Sequence, residues 1–383
     1  MRNNVRPLKS LVSLSLLTSL SSFLSLTSLV LSQAPTPTKL DGYELTFPAM
    51  GSTITLNAYS DSEAKIERAF GAVRIEIDRL VAILSDYEPD SELNRNHRQA
   101  TQTNSISEEL FQVLKASEEW FNHSDGAFDA AIGNLTRRWR EARKLGELPS
   151  QTEIDEAMRH SGWQKIELNK TERTLTLLDP EVRIDLGGIA AGYIVDRAFE
   201  VLLAHGLKQV LVNDGGDIRC GESPPGREGW RIEIASIGST NIDKLAANSI
   251  QKKAKPKPRS QIDKLPPLRR IYLKNAAITT SGDLWQFIEI DGQRRSHILD
   301  PRTGYGVPGP AAVVLIAPTC IEADAGATTL SVLGPTRGLE LITKYPGYEA
   351  LMASRPSSDG SIVSTVTSGF PIGIFQAAPD ASH

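Results

Sequence analysis

The sequence is poor in the residues that mark several common protein classes. Its 383 residues include only two cysteines, Cys220 and Cys320, whose spacing fits neither a disulfide framework nor a zinc site. We therefore expect two buried free thiols. The net charge is only −4 and no stretch interleaves aromatic with basic side chains, which argues against nucleic acid as a partner. The absence of GxGxxG and Walker motifs argues against a nicotinamide or P-loop nucleotide site.

The N-terminus has the layout of an export signal. "MRNNVRPLK" carries basic side chains and no acid, and the next 25 residues, ending at "LSQA", carry no charge at all. This order of a basic region and an apolar region is typical of a signal peptide. No cysteine follows the apolar run, so a lipoprotein anchor is excluded. Residues 1–35 are predicted to be a signal peptide or an uncleaved N-terminal anchor, and the protein to be periplasmic or anchored to the outer face of the inner membrane.

Strands and helices alternate in blocks along the rest of the chain, without a regular βαβ rhythm, which favours the α+β class. Strands are expected from Tyr43, and "LSDYEPDSELNRNH" (84–97) is expected to be a loop. The first of the helices is predicted over Ser62–Leu84, with others near Ser107–Asn122, near Gln151–Gly162 and ending at Gly206. A single domain over residues 40–376 accommodates these elements.

One segment interrupts the pattern. Residues 236–268 include "KKAKPKPRSQIDKLPP", which is rich in lysine and proline and poor in apolar side chains. Such a composition predicts a flexible insertion, because it has little apolar surface to bury. Its charges fit a solvated surface, and a partner-docking loop is the alternative.

Five stretches combine polar side chains with glycine, so that the backbone could approach a ligand closely. Each also has a purely structural interpretation: Asp185 could cap a helix, its two following glycines could serve a turn, and "DPRTG" alone makes a good β-turn. The stretches are "DGAFD" (125–129), "DLGGIAAGY" (185–193), "NDGGDIR" (213–219), "TTSGD" (279–283) and "SHILDPRTG" (296–304).

A sixth stretch, "IEADAGATTL" (321–330), places Asp324 four residues before Thr328 with only small residues between them. On a helix these two side chains share one face beside a nearly bare backbone, which suits a hard cation with oxygen ligands. An N-cap formed by Asp324 is the commoner role for such a residue, and these ten residues alone leave it open.

Taken together with "MGSTITL" (50–56) and "LSDYEPDSELNRNH" (84–97), the six stretches resemble the FAD:protein FMN transferase family, the ApbE-type flavin transferases. The resemblance keeps order and spacing from Met50 to about Gly334. It implies an α+β fold with a central antiparallel sheet and flanking helices, related to the tunnelling fold. It also implies Mg2+-dependent cleavage of FAD, release of AMP, and attachment of FMN through a phosphoester to a threonine of a partner protein, for example a subunit of a redox pump.

The resemblance assigns roles position by position. Asp324 and Thr328 are expected to be catalytic and to share a metal site with Gly188 and Ala327, the latter only through its backbone or position. Ala191 occupies a position that usually carries Lys or Glu, so one polar contact to the nucleotide is absent. The residues expected to contact FAD are Met50, Tyr87, Ala127, Phe128, Asp129, Asp185, Ala191 and Leu299.

Two other functions stay open at this stage. The protein could be an FAD pyrophosphatase that gives FMN and AMP without a protein acceptor, or a non-catalytic flavin-binding protein. The intact Asp324–Thr328 pair favours an enzyme over a binding protein. The sequence does not separate transferase from hydrolase, because that depends on how water competes with the acceptor threonine.

Overall fold

The computed structural model describes residues 6–7, 39–235, 267–282, 287–290, 293–308, 311–354 and 363–371. Three features of the sequence fall largely outside these ranges: the export segment, most of the 236–268 insertion, and the dipeptide Asp291–Gly292, which is typical of a hairpin turn. Pro267 and Leu268, which were assigned to the insertion, instead begin a strand.

Seventeen strands lie in the described residues. They are β1 (Arg6–Pro7), β2 (Asp41–Ala49), β3 (Ser52–Ser60), β4 (Thr103–Ser105), β5 (Ile166–Asn169), β6 (Thr174–Leu177), β7 (Val210–Asp214), β8 (Asp217–Cys220), β9 (Trp230–Ala235), β10 (Pro267–Leu273), β11 (Ala276–Gly282), β12 (Phe287–Ile290), β13 (Gln293–Leu299), β14 (Gly306–Pro308), β15 (Ala311–Ala317), β16 (Glu349–Ser354) and β17 (Val363–Val366).

Nine of these strands form one sheet in the order β1-β2-β3-β7-β8-β11-β15-β16-β17, and all its neighbours are antiparallel. The expected α+β class with a central antiparallel sheet is confirmed. The smaller sheets are β9–β10, β12–β13–β14 and β5–β6–β4.

The described residues contain seven α-helices. They are α1 (Glu63–Leu84), α2 (Glu92–Arg98), α3 (Glu108–His123), α4 (Gly133–Leu145), α5 (Gln151–Arg159), α6 (Ala190–Ala204) and α7 (Cys320–Ile342). One sequence expectation was wrong here, and one helix was not expected. The predicted loop 84–97 ends in α2, whose first turn is capped by the Ser91 hydroxyl. Helix α4 was not predicted, because its exposed positions carry charge and its first residue is a glycine.

The two faces of the main sheet are covered differently, and β15 shows how. Val313 and Leu315 belong to the larger core, between the sheet and helices α1, α3, α6 and α7. Val314 and Ile316 point to the other face, into a smaller core closed by the β9–β10 ribbon. This is the period-two alternation of a strand covered on both sides. The two cysteines are free and buried, as expected.

Helices α6 and α7 pack against each other on the larger core. Their first turns therefore lie together at one end of the sheet, and this end carries most of the predicted site residues. None of the helices within the described part of the chain is long and apolar enough to cross a bilayer.

Candidate active site

Two of the predicted stretches run side by side through the backbone. The amide of Asp185 donates to the carbonyl of Ala130 at 2.7 Å, and the amide of Gly133 donates to the carbonyl of Arg183 at 2.9 Å. A Cβ atom on Gly133 would lie only 2.8 Å from the Cβ of Arg183. The stretch that follows "DGAFD" is therefore held beside the "DLGG" turn that leads into α6.

The turn before α6 meets α7 at Gly188. A Cβ atom at Gly188 would lie 3.2 Å from the Thr328 hydroxyl oxygen and 3.5 Å from the ring of Phe128. Thr328 is the only half-buried residue in the otherwise buried segment 323–330. Three residues predicted to act together thus converge, and the missing side chain of Gly188 leaves the Thr328 hydroxyl open to a ligand.

Asp324 lies one turn before Thr328 on α7, and its side chain is directed at α6. Its Oδ2 atom accepts a hydrogen bond from the amide of Gly192 at 3.1 Å. Gly192 is required here, because a Cβ atom would lie 2.8 Å from the Cβ of Asp324 and would overlap the carbonyl of Cys320. The carboxylate therefore sits at the amino end of α6, where free amides and the helix dipole favour negative charge.

Asp324 is not the N-cap of its helix, so that structural interpretation was wrong. Helix α7 begins at Cys320, and Asp196 of α6 accepts hydrogen bonds from the amides of Cys320 and Ile321, both at 2.9 Å. Asp196 also pairs with Arg219 at 3.1 Å. Burial raises the pKa of Asp196 to about 6, although Arg219 and these amides oppose that rise.

The surroundings of Asp324 suit a cation. Its pKa is raised well above the ordinary value, first by burial and then by the negative charges of Asp217 and Asp214, against the opposing hydrogen bond from Gly192. A cation held there would relieve this repulsion.

The donor set fits Mg2+ rather than a metal bound wholly by side chains. Within the described ranges, no three His, Cys, Asp or Glu side chains converge closely enough to hold a metal. Asp324 and Thr328 supply one carboxylate and one hydroxyl beside the backbone of Gly188. Mg2+ is commonly bound by one or two carboxylates, with substrate phosphates and water completing the octahedron.

Met50 reaches this end of the sheet through a tight hairpin. Met50 and Gly51 connect β2 to β3 with φ angles of 51° and 71°, the geometry of a type I′ turn. The next residue, Ser52, donates its hydroxyl to the carboxylate of Asp214. The hairpin tip therefore lies beside the β7–β8 turn that carries the acidic neighbours of Asp324.

A second group of predicted residues surrounds an arginine that the sequence did not single out. The Arg140 guanidinium of α4 binds Asp185 at 2.9 Å and Asp86 at 2.6 Å, and it lies 4.7 Å from the centre of the Tyr87 ring. Burial raises the pKa of Asp185, and Arg140 opposes this rise. Asp185 also accepts the amide of Gly187 at 2.7 Å, so it orders the turn rather than capping α6.

The loop that bears Tyr87 is tied to the same turn by His97. The His97 Nε2 atom accepts the amide of Ile184 at 2.9 Å, and Nδ1 lies 3.2 Å from the side-chain oxygen of Asn94. The side-chain amide nitrogen of Asn94, Nδ2, in turn donates to the carbonyls of Ser85, Asp86 and Glu88. Burial lowers the pKa of His97 to about 4, so the ring is neutral and suited to accept from Ile184.

The remaining residues predicted to contact FAD are less exposed to solvent than Tyr87. Both carboxylate oxygens of Asp129 accept backbone amides, those of Ala131 at 2.7 Å and Trp163 at 2.9 Å, and burial raises its pKa to about 6. Ala127 is buried beside Phe128, and Ala191 is half-buried in the first turn of α6.

Leu299 belongs to a different cluster from the Thr328 group. Its buried side chain packs with Leu135 and Trp139 of α4. It precedes the "DPRTG" turn, in which the amide of Thr303 donates to the carbonyl of Asp300 at 3.2 Å. The predicted β-turn is present.

Arg140, His97 and Asn94 were missed because they belong to segments read as loop or not assigned. For Arg140 the sequence signal is the number of cations on α4, which by itself indicates a solvated helix face.

The chain is similar to known members of one protein family. A model of the ApbE family matches residues 50–352. The FAD:protein FMN transferase of Chlamydia trachomatis serovar D is 30% identical over 308 residues, which cover 78% of this chain and 85% of that protein. The protein of the same name from Escherichia coli strain K12 is 29% identical over 282 residues, 71% of this chain and 73% of that one.

Solved structures of flavin transferases are also similar to this chain. The flavin transferase ApbE from Vibrio cholerae superposes with a TM-score of 0.71 at 25% identity, covering 87% of this chain and 99% of that chain. The apo flavinyl transferase ApbE from Pseudomonas stutzeri gives a TM-score of 0.70 at 28% identity, over 86% of this chain and 95% of that chain.

Proposed function

The chain belongs to the ApbE family, and from this premise we propose that it is a Mg2+-dependent FAD:protein FMN transferase. In this reaction a threonine hydroxyl of an acceptor protein attacks the FMN phosphorus of FAD. The new P–O bond forms as the bond to the AMP phosphate breaks, and AMP leaves. The hydroxyl proton is passed to solvent or to a base.

The observation that carries the proposal is the convergence of Gly188, Thr328 and Phe128 above the buried Asp324. Asp324 and Thr328 would hold the metal, and Gly188 would add its carbonyl. Because Gly188 has no side chain, a diphosphate can come close to the Thr328 hydroxyl. Phe128 supplies an aromatic wall for a ring of the substrate.

Mg2+, when bound, supplies neutralisation of the charge that builds on the diphosphate oxygens. The protein contributes the fixed orientation of its ligands. The Gly192 amide orients Asp324, and Asp196 fixes the first turn of α7 on which Asp324 is carried.

The test is AMP release from FAD with Mg2+, with and without a protein that carries a threonine flavinylation motif, such as a subunit of a redox pump. In-gel flavin fluorescence reads the attached FMN. We expect fluorescent acceptor and AMP in equal amounts. AMP release without acceptor labelling would instead identify an FAD pyrophosphatase, and tight FAD binding without AMP would identify a flavin-binding protein.

We also propose that the protein works outside the cytoplasm, periplasmic or anchored to the outer face of the inner membrane. The basic-then-apolar segment over residues 1–35 supports this. Cell fractionation tests it, and full-length protein in the cytosol would contradict it.

A further inference from the structure

Arg140 joins two parts of the site that are far apart in sequence. Its Nη1 atom binds Asp86, next to Tyr87, and its Nη2 atom binds Asp185, next to the turn that ends at Gly188. The side chain of Arg140 is 28% exposed, and that of Asp185 is 8% exposed. A partly desolvated guanidinium that bridges two acids fixes both of them in direction as well as in distance.

Tyr87 uses only one face of its ring in this arrangement. The guanidinium carbon of Arg140 lies 4.7 Å from the ring centre, within the range of a cation–π contact. The residue is 72% exposed, so the other face of the ring is open to solvent. The loop that carries it is well fixed, because the Ser85 hydroxyl accepts the amides of both Tyr87 and Glu88 at 3.1 Å. A rigid ring with one free face is a platform on which a flat aromatic group can stack.

The platform lies within reach of the proposed metal site. Gly188 follows Asp185 by three positions, and three residues of chain span about 10 Å at most. Arg140 links Asp185 directly to the Tyr87 ring. The distance from Thr328 to the platform is therefore compatible with one extended dinucleotide such as FAD.

We propose that Arg140 is a positioning residue: it holds the Tyr87 ring and the Asp185 carboxylate, two FAD contacts that the family resemblance implies, in fixed relation for binding FAD. The inference rests on the proposed function for the identity of the substrate. It assigns Arg140 to substrate affinity rather than to the chemical step, since its guanidinium is held by Asp86, Asp185 and the Tyr87 ring.

The first experiment compares Arg140→Met and Arg140→Lys with Arg138→Met. Arg138 lies on the same helix and, among the residues that the structure describes, pairs with Glu141 and Glu153, so it is a matched control. Arg140→Met should raise KM for FAD about tenfold with kcat within about twofold of wild type. Arg140→Lys should fold normally and raise KM less, because an ammonium cannot bridge two acids and lie flat on a ring together. Arg138→Met should change neither constant.

Binding of the two halves of FAD separates stacking from general damage. AMP and FMN are titrated separately against wild type and Arg140→Met. One of them should bind about tenfold more weakly and the other should be unchanged, which identifies the stacked ring as adenine or isoalloxazine. Equal weakening of both, or weakening of neither, overturns the proposal. A fall in kcat at unchanged KM overturns it as well.

A double-mutant cycle with Tyr87→Leu tests whether Arg140 acts through the ring. The double variant should bind FAD about as weakly as Tyr87→Leu alone, whereas additive losses would overturn the proposal. Binding is measured by FAD fluorescence anisotropy without Mg2+, so it does not depend on turnover. If the wild type binds FAD but releases no AMP, the proposed function fails while this cycle still decides the role of Arg140. A wild-type protein that binds no FAD contradicts both.

Discussion

Asp324 and Gly192 link α7 to α6 through a hydrogen bond of 3.1 Å between a buried carboxylate and a first-turn amide. The reverse link joins the same helices, because Asp196 of α6 accepts the first amides of α7. Each helix thus provides an acid for the amino end of the other. The metal ligand proposed on α7 is therefore positioned by α6.

Asp324→Asn should separate metal binding from folding. The amide keeps an oxygen that can accept from Gly192 but loses the charge that would hold Mg2+. We expect a loss of about a hundred- to a thousand-fold in AMP release at saturating Mg2+, as for removal of one electrostatic group. Thr328→Ala should lose less, because water can replace a neutral oxygen ligand. The melting temperature of Asp324→Asn should not fall, since a buried charge with a raised pKa is removed. Near-normal turnover would refute the metal site.

Gly192→Ala should destabilise the α6–α7 contact. Its methyl group would overlap the Cys320 carbonyl, and neither backbone can move away without disturbing a helix. We expect a loss of about 1–3 kcal/mol in the free energy of unfolding. Gly71→Ala on α1 is the matched control: nothing lies within 4 Å of a Cβ there, so it should stabilise by about 0.5–1 kcal/mol. Denaturant unfolding measures both, and equal effects would contradict the close approach.

His97→Gln should change the pH dependence of stability. Burial, with Arg183 acting in the same direction, lowers the pKa of His97 from 6.5 to about 4. As the pH falls, the unfolded chain binds this proton first. The contribution of neutral His97 to the free energy of unfolding is therefore complete above about pH 6.5. It is lost toward pH 4, on the order of 3 kcal/mol in total.

The glutamine variant cannot titrate, so its free energy of unfolding should approach that of wild type as the pH falls from 7 to 4.5. Comparing the two proteins cancels the opposite trends of Asp129 and Asp196. A constant difference across this range would contradict the buried neutral histidine.

Deletion of residues 250–264 should leave FAD cleavage and cooperative melting intact. The segment departs from β9 and returns in β10, where Ala235 pairs with Pro267, so the two ends of the longer stretch 236–266 already lie next to each other. A shorter connection can therefore span them. A lost melting transition would show that the segment is structural. Normal AMP release with weaker labelling of the acceptor would assign it to docking.

Much of the fold could be read from local patterns. The short apolar run "AAVVLIA" is typical of a strand buried on both faces and forms β15, and apolar residues at helical spacing predicted α1 and α6, because burial leaves a direct trace in sequence. Helix α4 left a weak trace, since its apolar residues face only a small cluster that contains Leu299. Similarly, α2 has seven residues and follows a proline-containing turn, so local signals favoured a loop.

The sequence by itself determined the family and predicted that Asp324 and Thr328 share one face of a helix, because order, spacing and helical periodicity are properties of neighbouring residues. Only the tertiary structure decided that Gly188 faces Thr328, that Asp196 accepts the first amides of α7, whose N-cap is Thr319 and not Asp324, and that Arg140 joins Tyr87 to Asp185. The physical reason is range. Periodicity and turn chemistry act between near neighbours in the chain, whereas these contacts join residues 45 to 140 positions apart, as the separations of Asp185 from Arg140 and of Thr328 from Gly188 show.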